Sequence, residues 1–399
     1  MWLSDLRVVL PTGELERGSL RIDGGRICQI IEGPTPIRSG EAIIGGEGLT
    51  AIPGIIDLHG DMLEREMEPR PGTRFPTDMA VFELDKRLAA AGVTTAFATV
   101  TFAVYKLSED LRSNERAREI VSTITGLRRS LLVDIRVHAR FDINNPSAVP
   151  VLMELLRDRQ VDLVSLNDHT PGQGQYRDIE AYIEFIARWR KISVEEAQRM
   201  TEERLKQAKE APPSWDVARQ VASVAREHGL CVASHDDDTP AKVRLVSGFG
   251  ACISEFPVTM EAAWEARRIG MSIAMGAPNV LQGYSHAGNL SALEAIEAGL
   301  VDVLVADYHP ATLLHAAFAL AQRGILPLHE AVGLVTANPA RALGLDGRGR
   351  IEVGAEADLV LLGESEGLRV RGVLRSGVPV YWDRTMVNRA RSERVFQPA

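Results

Sequence analysis

Between about residues 51 and 345 the chain repeats one alternation eight times: a short apolar run of strand character, then a longer amphipathic stretch. The runs are Ile55–Leu58, Val93–Val100, Leu132–Asp142, Val161–Asp168, Leu230–His235, Ala251–Glu255, Met271–Met275 and Val301–Asp307. Helical patterning fills Met79–Ala91, Ser108–Arg129, Val149–Arg159, Met260–Ile269, Leu290–Ala298 and Ala311–Gln322. Strands separated by helices predict parallel pairing, because a crossover of that length returns the chain to the same end of the sheet. Eight units of this kind predict an α/β fold, the (β/α)8 TIM barrel, whose chemistry sits at the C-terminal ends of the strands. The longest interruption, roughly 170 to 229, falls between the fourth and fifth strands. Its charged helical segment Val194–Lys209 suggests a lid or an oligomer contact.

Both termini read differently. Short β-like runs (Leu6–Leu10, Ser19–Ile22, Arg26–Ile31) with a Gly-rich turn at Asp23-Gly24-Gly25 occupy the first 50 residues, and Ala357–Leu362 and Val370–Leu374 have the same character. We therefore expect residues 1–50 and 346–399 to build one small β-sandwich module, with the barrel domain 51–345 inserted between them. A hydrophobic content of 45% and a charged content of 25% suit a soluble protein with a large core. The formal charge of −9 removes any general attraction for nucleic acid or an anionic membrane, so an anionic substrate needs a local cluster of cations or metals. Cys28, Cys231 and Cys252 are scattered without metal-site or disulfide-framework spacing, and no stretch resembles a secretion leader or a membrane span. A soluble cytoplasmic protein, assembled as a homo-oligomer, is the expectation.

His59 and Asp61 follow the apolar run that begins at Ile52. Side chains two apart on an extended segment point the same way, so an imidazole and a carboxylate stand together there, a donor pair that suits a divalent ion. Taken alone, the pair is weak evidence. Its weight comes from recurrence, since other apolar runs also end in metal-competent residues: Asp168-His169, His235 and Asp307.

These strand-end residues together resemble the amidohydrolase superfamily, metal-dependent hydrolases on this barrel. The C-terminal series Ala337-Asn338-Pro339-Ala340, Gly349-Arg350-Ile351 and Gly354-Ala355-Glu356-Ala357-Asp358-Leu359-Val360 is familiar in the same superfamily. Further blocks, Val164–Gln173, Ala233–Thr239, Glu255–Thr259, Met275–Asn279, Ser285–Asn289 and Asp307–Ala311, resemble its sugar-triphosphate diphosphatases of phosphonate utilisation, as does the Pro69-Arg70-Pro71 turn. That resemblance implies a phosphorylated sugar as substrate, cleaved to a 5-phosphate and pyrophosphate, and one or two divalent ions, zinc being the natural occupant of mixed nitrogen and oxygen ligands.

Carried onto this chain, the resemblance makes His59, Asp61, His235 and Asp307 metal ligands, with Asp307 also taking a proton from the attacking water. At strand four the superfamily often has a bridging Lys or Glu, whereas this chain offers Asp168 and His169. Neighbours on a strand point to opposite sides, so one of the two reaches the metals unless the strand has already ended, and His169 is favoured. Glu255 replaces the usual strand-six His, either as an oxygen ligand or as a partner to a ligand. Arg140 is the first choice for gripping phosphate, followed by Arg70, Arg177 and Lys242, because guanidinium and ammonium groups match phosphoryl oxygens. His286 is either a substrate contact or a loop-ordering residue, and Asp237 either a ligand or a loop residue. No phosphate-binding loop of the nucleotide-hydrolase kind is present. Two other readings stay open: a deaminase or cyclic-amide hydrolase using the same metal chemistry, and a barrel scaffold without catalysis.

Overall fold

Apolar runs rich in Val, Ile and Leu become strands buried on both faces when helices cover a parallel sheet. The computed structural model describes residues 1–35, 41–70, 72–103, 113–210, 214–285 and 288–392. Its strands, in chain order, begin with β1 (Trp2–Leu10), β2 (Gly13–Asp23), β3 (Arg26–Glu32), β4 (Ile43–Gly45) and β5 (Leu49–Pro53). Then come β6 (Ile55–Gly60), β7 (Val93–Phe102), β8 (Asp134–Asp142), β9 (Leu163–Asn167), β10 (Cys231–His235), β11 (Ile253–Glu255), β12 (Ser272–Gly276) and β13 (Val303–Val305), followed by β14 (Leu359–Gly363), β15 (Arg369–Arg375) and β16 (Val378–Trp382).

Strands β6 to β13 form one eight-stranded sheet in unbroken chain order. Gly60 at the end of β6 bridges in parallel to Asp307, just past β13, so the last strand meets the first. This is the expected barrel, and each anticipated strand is present with its ends shifted by a few residues. The other sheet runs β16-β15-β14-β5-β1-β2-β3, with β4 pairing β1, and so draws on both termini as expected. Leu3, Leu20, Ile27, Leu361 and Leu374 are among the residues of its core.

The chain divides into two compact units. One comprises Met1–Ala98, Leu127–Ile135 and Asp302–Ala399; the other comprises Thr99–Gly126 and Arg136–Val301. Within the first, Arg348 holds distant segments together: Nη1 donates to Thr95 Oγ1 at 2.9 Å and to Asp134 Oδ2 at 2.7 Å, while Nε donates to Glu356 Oε2 at 3.1 Å. A planar guanidinium with several fixed donors can serve three acceptors at once, which an ammonium cannot do with the same geometry.

The cysteines correct an expectation. Cys231 and Cys252, 21 residues apart, are joined as a disulfide, with Cα atoms 6.6 Å apart. One opens β10 and the other immediately precedes the neighbouring parallel strand β11. Parallel pairing through a crossover brings together residues whose sequence spacing resembles no cysteine motif. Cys28 is free and exposed. No helix among the described residues is long and apolar enough to cross a membrane.

The Arg348 network yields a stability prediction. Arg348→Met leaves Asp134 and Glu356 without their shared cation and should lower unfolding stability by roughly 2–4 kcal/mol, less than for a fully buried pair because some solvent reaches the group. Urea unfolding of variant and wild type measures this; equal midpoints and slopes would remove Arg348 from the role.

Candidate metal centre

In the first unit, β6 delivers Asp57 and His59, both buried, on one side of the strand. Asp57 Oδ1 accepts from the backbone N–H of His59 at 3.3 Å and of Ala306 at 3.0 Å. Burial raises its pKa to about 7, against the lowering effect of those two N–H groups. His59 Nε2 lies 3.5 Å from Asp61 Oδ1. The expected pair thus stands together, with His59 buried and Asp61 partly open. Asp307 is fixed by backbone: its N–H donates to the His59 carbonyl at 3.0 Å and its carbonyl accepts from the Asp61 N–H at 2.6 Å. Gly60 is required between them, since a Cβ there would fall 2.6 Å from Met62 Cε and 2.9 Å from Asp57 Oδ2.

The second unit carries a polar cluster of its own. On β8, His138, Arg140 and Asp142 alternate and so share one side of the strand. Each meets a residue from a different later segment. His138 Nε2 lies 3.8 Å from Glu255 Oε1, Arg140 Nη2 lies 3.2 Å from His235 Nε2, and Asp142 Oδ2 lies 3.1 Å from His169 Nδ1. His235 Nδ1 sits 3.2 Å from Glu255 Oε2. His138, His235 and Glu255 therefore form a buried His/His/Glu cluster, with the carboxylate fixing the His235 ring as carboxylates commonly fix metal-binding imidazoles.

Strand β9 ends at Asn167, so the orientation rule that would separate Asp168 from His169 no longer applies. Both are buried. Asp168 Oδ1 accepts from the Thr170 N–H at 3.0 Å, while Asp168 Oδ2 is buried with no hydrogen-bond partner. Asp236 Oδ2, 3.7 Å from His235 Nε2, is likewise buried without a hydrogen bond. Buried carboxylate oxygens beside imidazoles are the donor set a divalent ion takes, so the residues fit a metal.

Lys242 is buried and its Nζ donates to the His235 carbonyl at 2.9 Å and the Asp236 carbonyl at 3.0 Å, tying down the loop after β10. Asp237 accepts from Ser234 Oγ at 2.5 Å and Ser254 Oγ at 2.6 Å, which gives it a local structural task. Arg70 and Arg177 are exposed. His286 lies outside the described residues. Sequence reasoning did not single out His138 or Asp57. The signal for His138 was its alternation with Arg140 and Asp142 on one strand, and for Asp57 its place two residues before His59.

Comparison with known proteins adds independent findings. Residues 194–381 match the model of the amidohydrolase family. Across 386 residues, 96% of this chain and 100% of the other, the sequence is 36% identical to the α-D-ribose 1-methylphosphonate 5-triphosphate diphosphatase of Escherichia coli. The chain belongs to the amidohydrolase family. As a member it is a metal-dependent hydrolase. Solved structures carry the same fold: β-aspartyl dipeptidase from Fervidobacterium islandicum (TM-score 0.65, 16% identity, 96% of each chain covered) and dihydropyrimidinase from Brevibacillus agri (TM-score 0.63, 14% identity, 96% of this chain and 95% of that one).

The metal centre can be tested directly. Glu255→Gln and His138→Ala should keep the fold yet hold divalent metal at least about tenfold more weakly, as changes among ligands and their supports generally do. Elemental analysis after dialysis against graded metal buffers measures this, and wild-type retention in both variants would exclude these residues from the centre.

Proposed function

We propose that this amidohydrolase cleaves α-D-ribose 1-methylphosphonate 5-triphosphate to the 5-phosphate and pyrophosphate. The full-length 36% identity to the Escherichia coli diphosphatase carries this reading. It is supported by the ligand chemistry within each unit, since His59 and Asp61 pair an imidazole with a carboxylate in the first and His138, His235 and Glu255 do so in the second. In this reading Asp61, Asp168, His169, His235 and Asp307 complete the ligand set for one or two ions. Zinc suits such mixed imidazole and carboxylate donors.

A bound divalent ion supplies Lewis acidity that makes a water nucleophilic near neutral pH and offsets charge on phosphoryl oxygens. The protein's own part is proton transfer and orientation. Asp307 takes the proton of the water that attacks the α-phosphorus, as the bond from that phosphorus to the pyrophosphate oxygen breaks. Its carboxylate stays in place because its backbone is paired on both sides with the end of β6. Arg140, beside His235, steadies the phosphoryl group; the exposed Arg70 and Arg177 are assigned to the outer charges, while Lys242 orders the loop after β10.

Two measurements check the assignment. Purified metal-loaded enzyme should release pyrophosphate from the ribose triphosphate but no ammonia from cyclic amides or amidines; the reverse pattern would favour the deaminase reading. Asp307→Asn should retain its fold and lose about a hundredfold or more in kcat, the usual range for a missing general base. Near-normal turnover by that variant would take the proton-transfer role away from Asp307.

A further inference from the structure

The insertion after β9 brings one more side chain to the site. Its single-turn segment Gly174–Tyr176 leads into the helices Ile179–Arg190 and Val194–Glu210. Tyr182, Ile186, Ala187 and Ala197 form a small core there, and Tyr176 packs against it. The Tyr176 ring lies 4.6 Å from that of Tyr182 and 6.2 Å from that of Phe185, and 6.3 Å from the imidazole of His169. Arg204, from the second helix, donates to the Tyr182 hydroxyl and, through Nη2 at 3.3 Å, to the His169 carbonyl. The insertion is thereby tied to the segment carrying Asp168 and His169.

Packing accounts for the Tyr176 ring but not for its hydroxyl. Among the described residues no group accepts a hydrogen bond from that hydroxyl, and the side chain is half-buried. A phenylalanine would fill the same place in that aromatic packing, so the ring contacts give the hydroxyl no task. Its segment lies against Asp236, since a Cβ at Gly174 would fall 3.2 Å from Asp236 Cβ, and Asp236 and Arg140 are the two groups flanking His235 Nε2. We propose that Tyr176 is a substrate-binding residue, its hydroxyl donating a hydrogen bond to an anionic phosphoryl oxygen of the bound triphosphate. This rests on the triphosphate-hydrolase reading of the same site.

Tyr176→Phe removes the hydroxyl and keeps the ring. The expected result is a KM for the ribose triphosphate raised about tenfold, the weight of a hydrogen bond to a charged group, with kcat within about twofold of wild type. Metal content and thermal midpoint should not change. Calorimetric titration of the metal-loaded protein with inorganic triphosphate should show a Kd raised by a similar factor. Unchanged KM and Kd overturn the proposal, as does a lowered thermal midpoint with KM unchanged, which would give the hydroxyl to the fold. Should wild type release no pyrophosphate from the sugar triphosphate, the functional reading fails and the titration still decides Tyr176: weaker binding by the variant upholds the contact, and equal affinities or no binding by wild type overturn it.

Discussion

A fully buried carboxylate facing imidazoles is the constraint around which this site is organised. Glu255 has no solvent to stabilise its charge, and its oxygens lie 3.2 Å from His235 Nδ1 and 3.8 Å from His138 Nε2. Taking such a group out of water costs several kcal/mol unless opposite charge or hydrogen-bond donors meet it there. Protonated imidazole or a divalent ion does so, and each requires that His138 and His235 stay in register with Glu255. Register in turn depends on β8 and β10 keeping their places in the sheet, since a slip of one residue turns every side chain to the opposite face.

The backbone at the strand ends serves this requirement. Asp236, Phe256 and Asp307 each follow β10, β11 or β13 closely and adopt left-handed φ values of 55°, 52° and 55°. Such conformations are uncommon for residues with a Cβ, and for a bulky residue such as Phe256 they are unfavourable in isolation. Each is offset by one more backbone hydrogen bond beyond the strand: Asp236 N–H to the Glu255 carbonyl at 2.9 Å, Phe256 N–H to Ala274 at 2.8 Å, and Asp307 N–H to His59 at 3.0 Å. The turn that follows then aims the neighbouring side chain, as with Phe256, whose ring meets that of His235 edge-on at 5.2 Å. The local cost is one a catalytic centre commonly carries in exchange for fixed geometry.

How far this was legible before folding depends on whether a feature is local. The barrel was, because eight apolar runs separated by helices admit few other arrangements. So were the strand-end positions of His59, Asp61, His235 and Asp307, since each stands at or just past the end of such a run. His138 was not singled out because a histidine inside a strand declares its purpose only when the strand's inward face and its neighbours are known. The Asp168 and His169 alternative rested on a strand boundary, and β9 stops one residue before the pair. The Cys231–Cys252 link depended on which strands are adjacent, and Tyr176 on how an insertion folds back. Each of these is a contact between distant segments, which local pattern does not encode.

Charge balance gives the site its remaining logic. In the second unit Asp142, Asp168, Asp236, Asp237 and Glu255 are buried close to His169 and His235, whereas the buried cations named there are Arg140 and Lys242. Lys242 is directed at two backbone carbonyls, and Asp237 at two serine hydroxyls. Among the described residues, the charged groups at His235 include Arg140, Asp236 and Glu255, an acidic balance that would repel a polyphosphate. An anionic substrate is compatible with such a wall only when cations accompany it, on the imidazole and carboxylate ligands or on the phosphoryl chain itself. The acidity that looks unsuited to a triphosphate is consistent with a site that takes divalent ions.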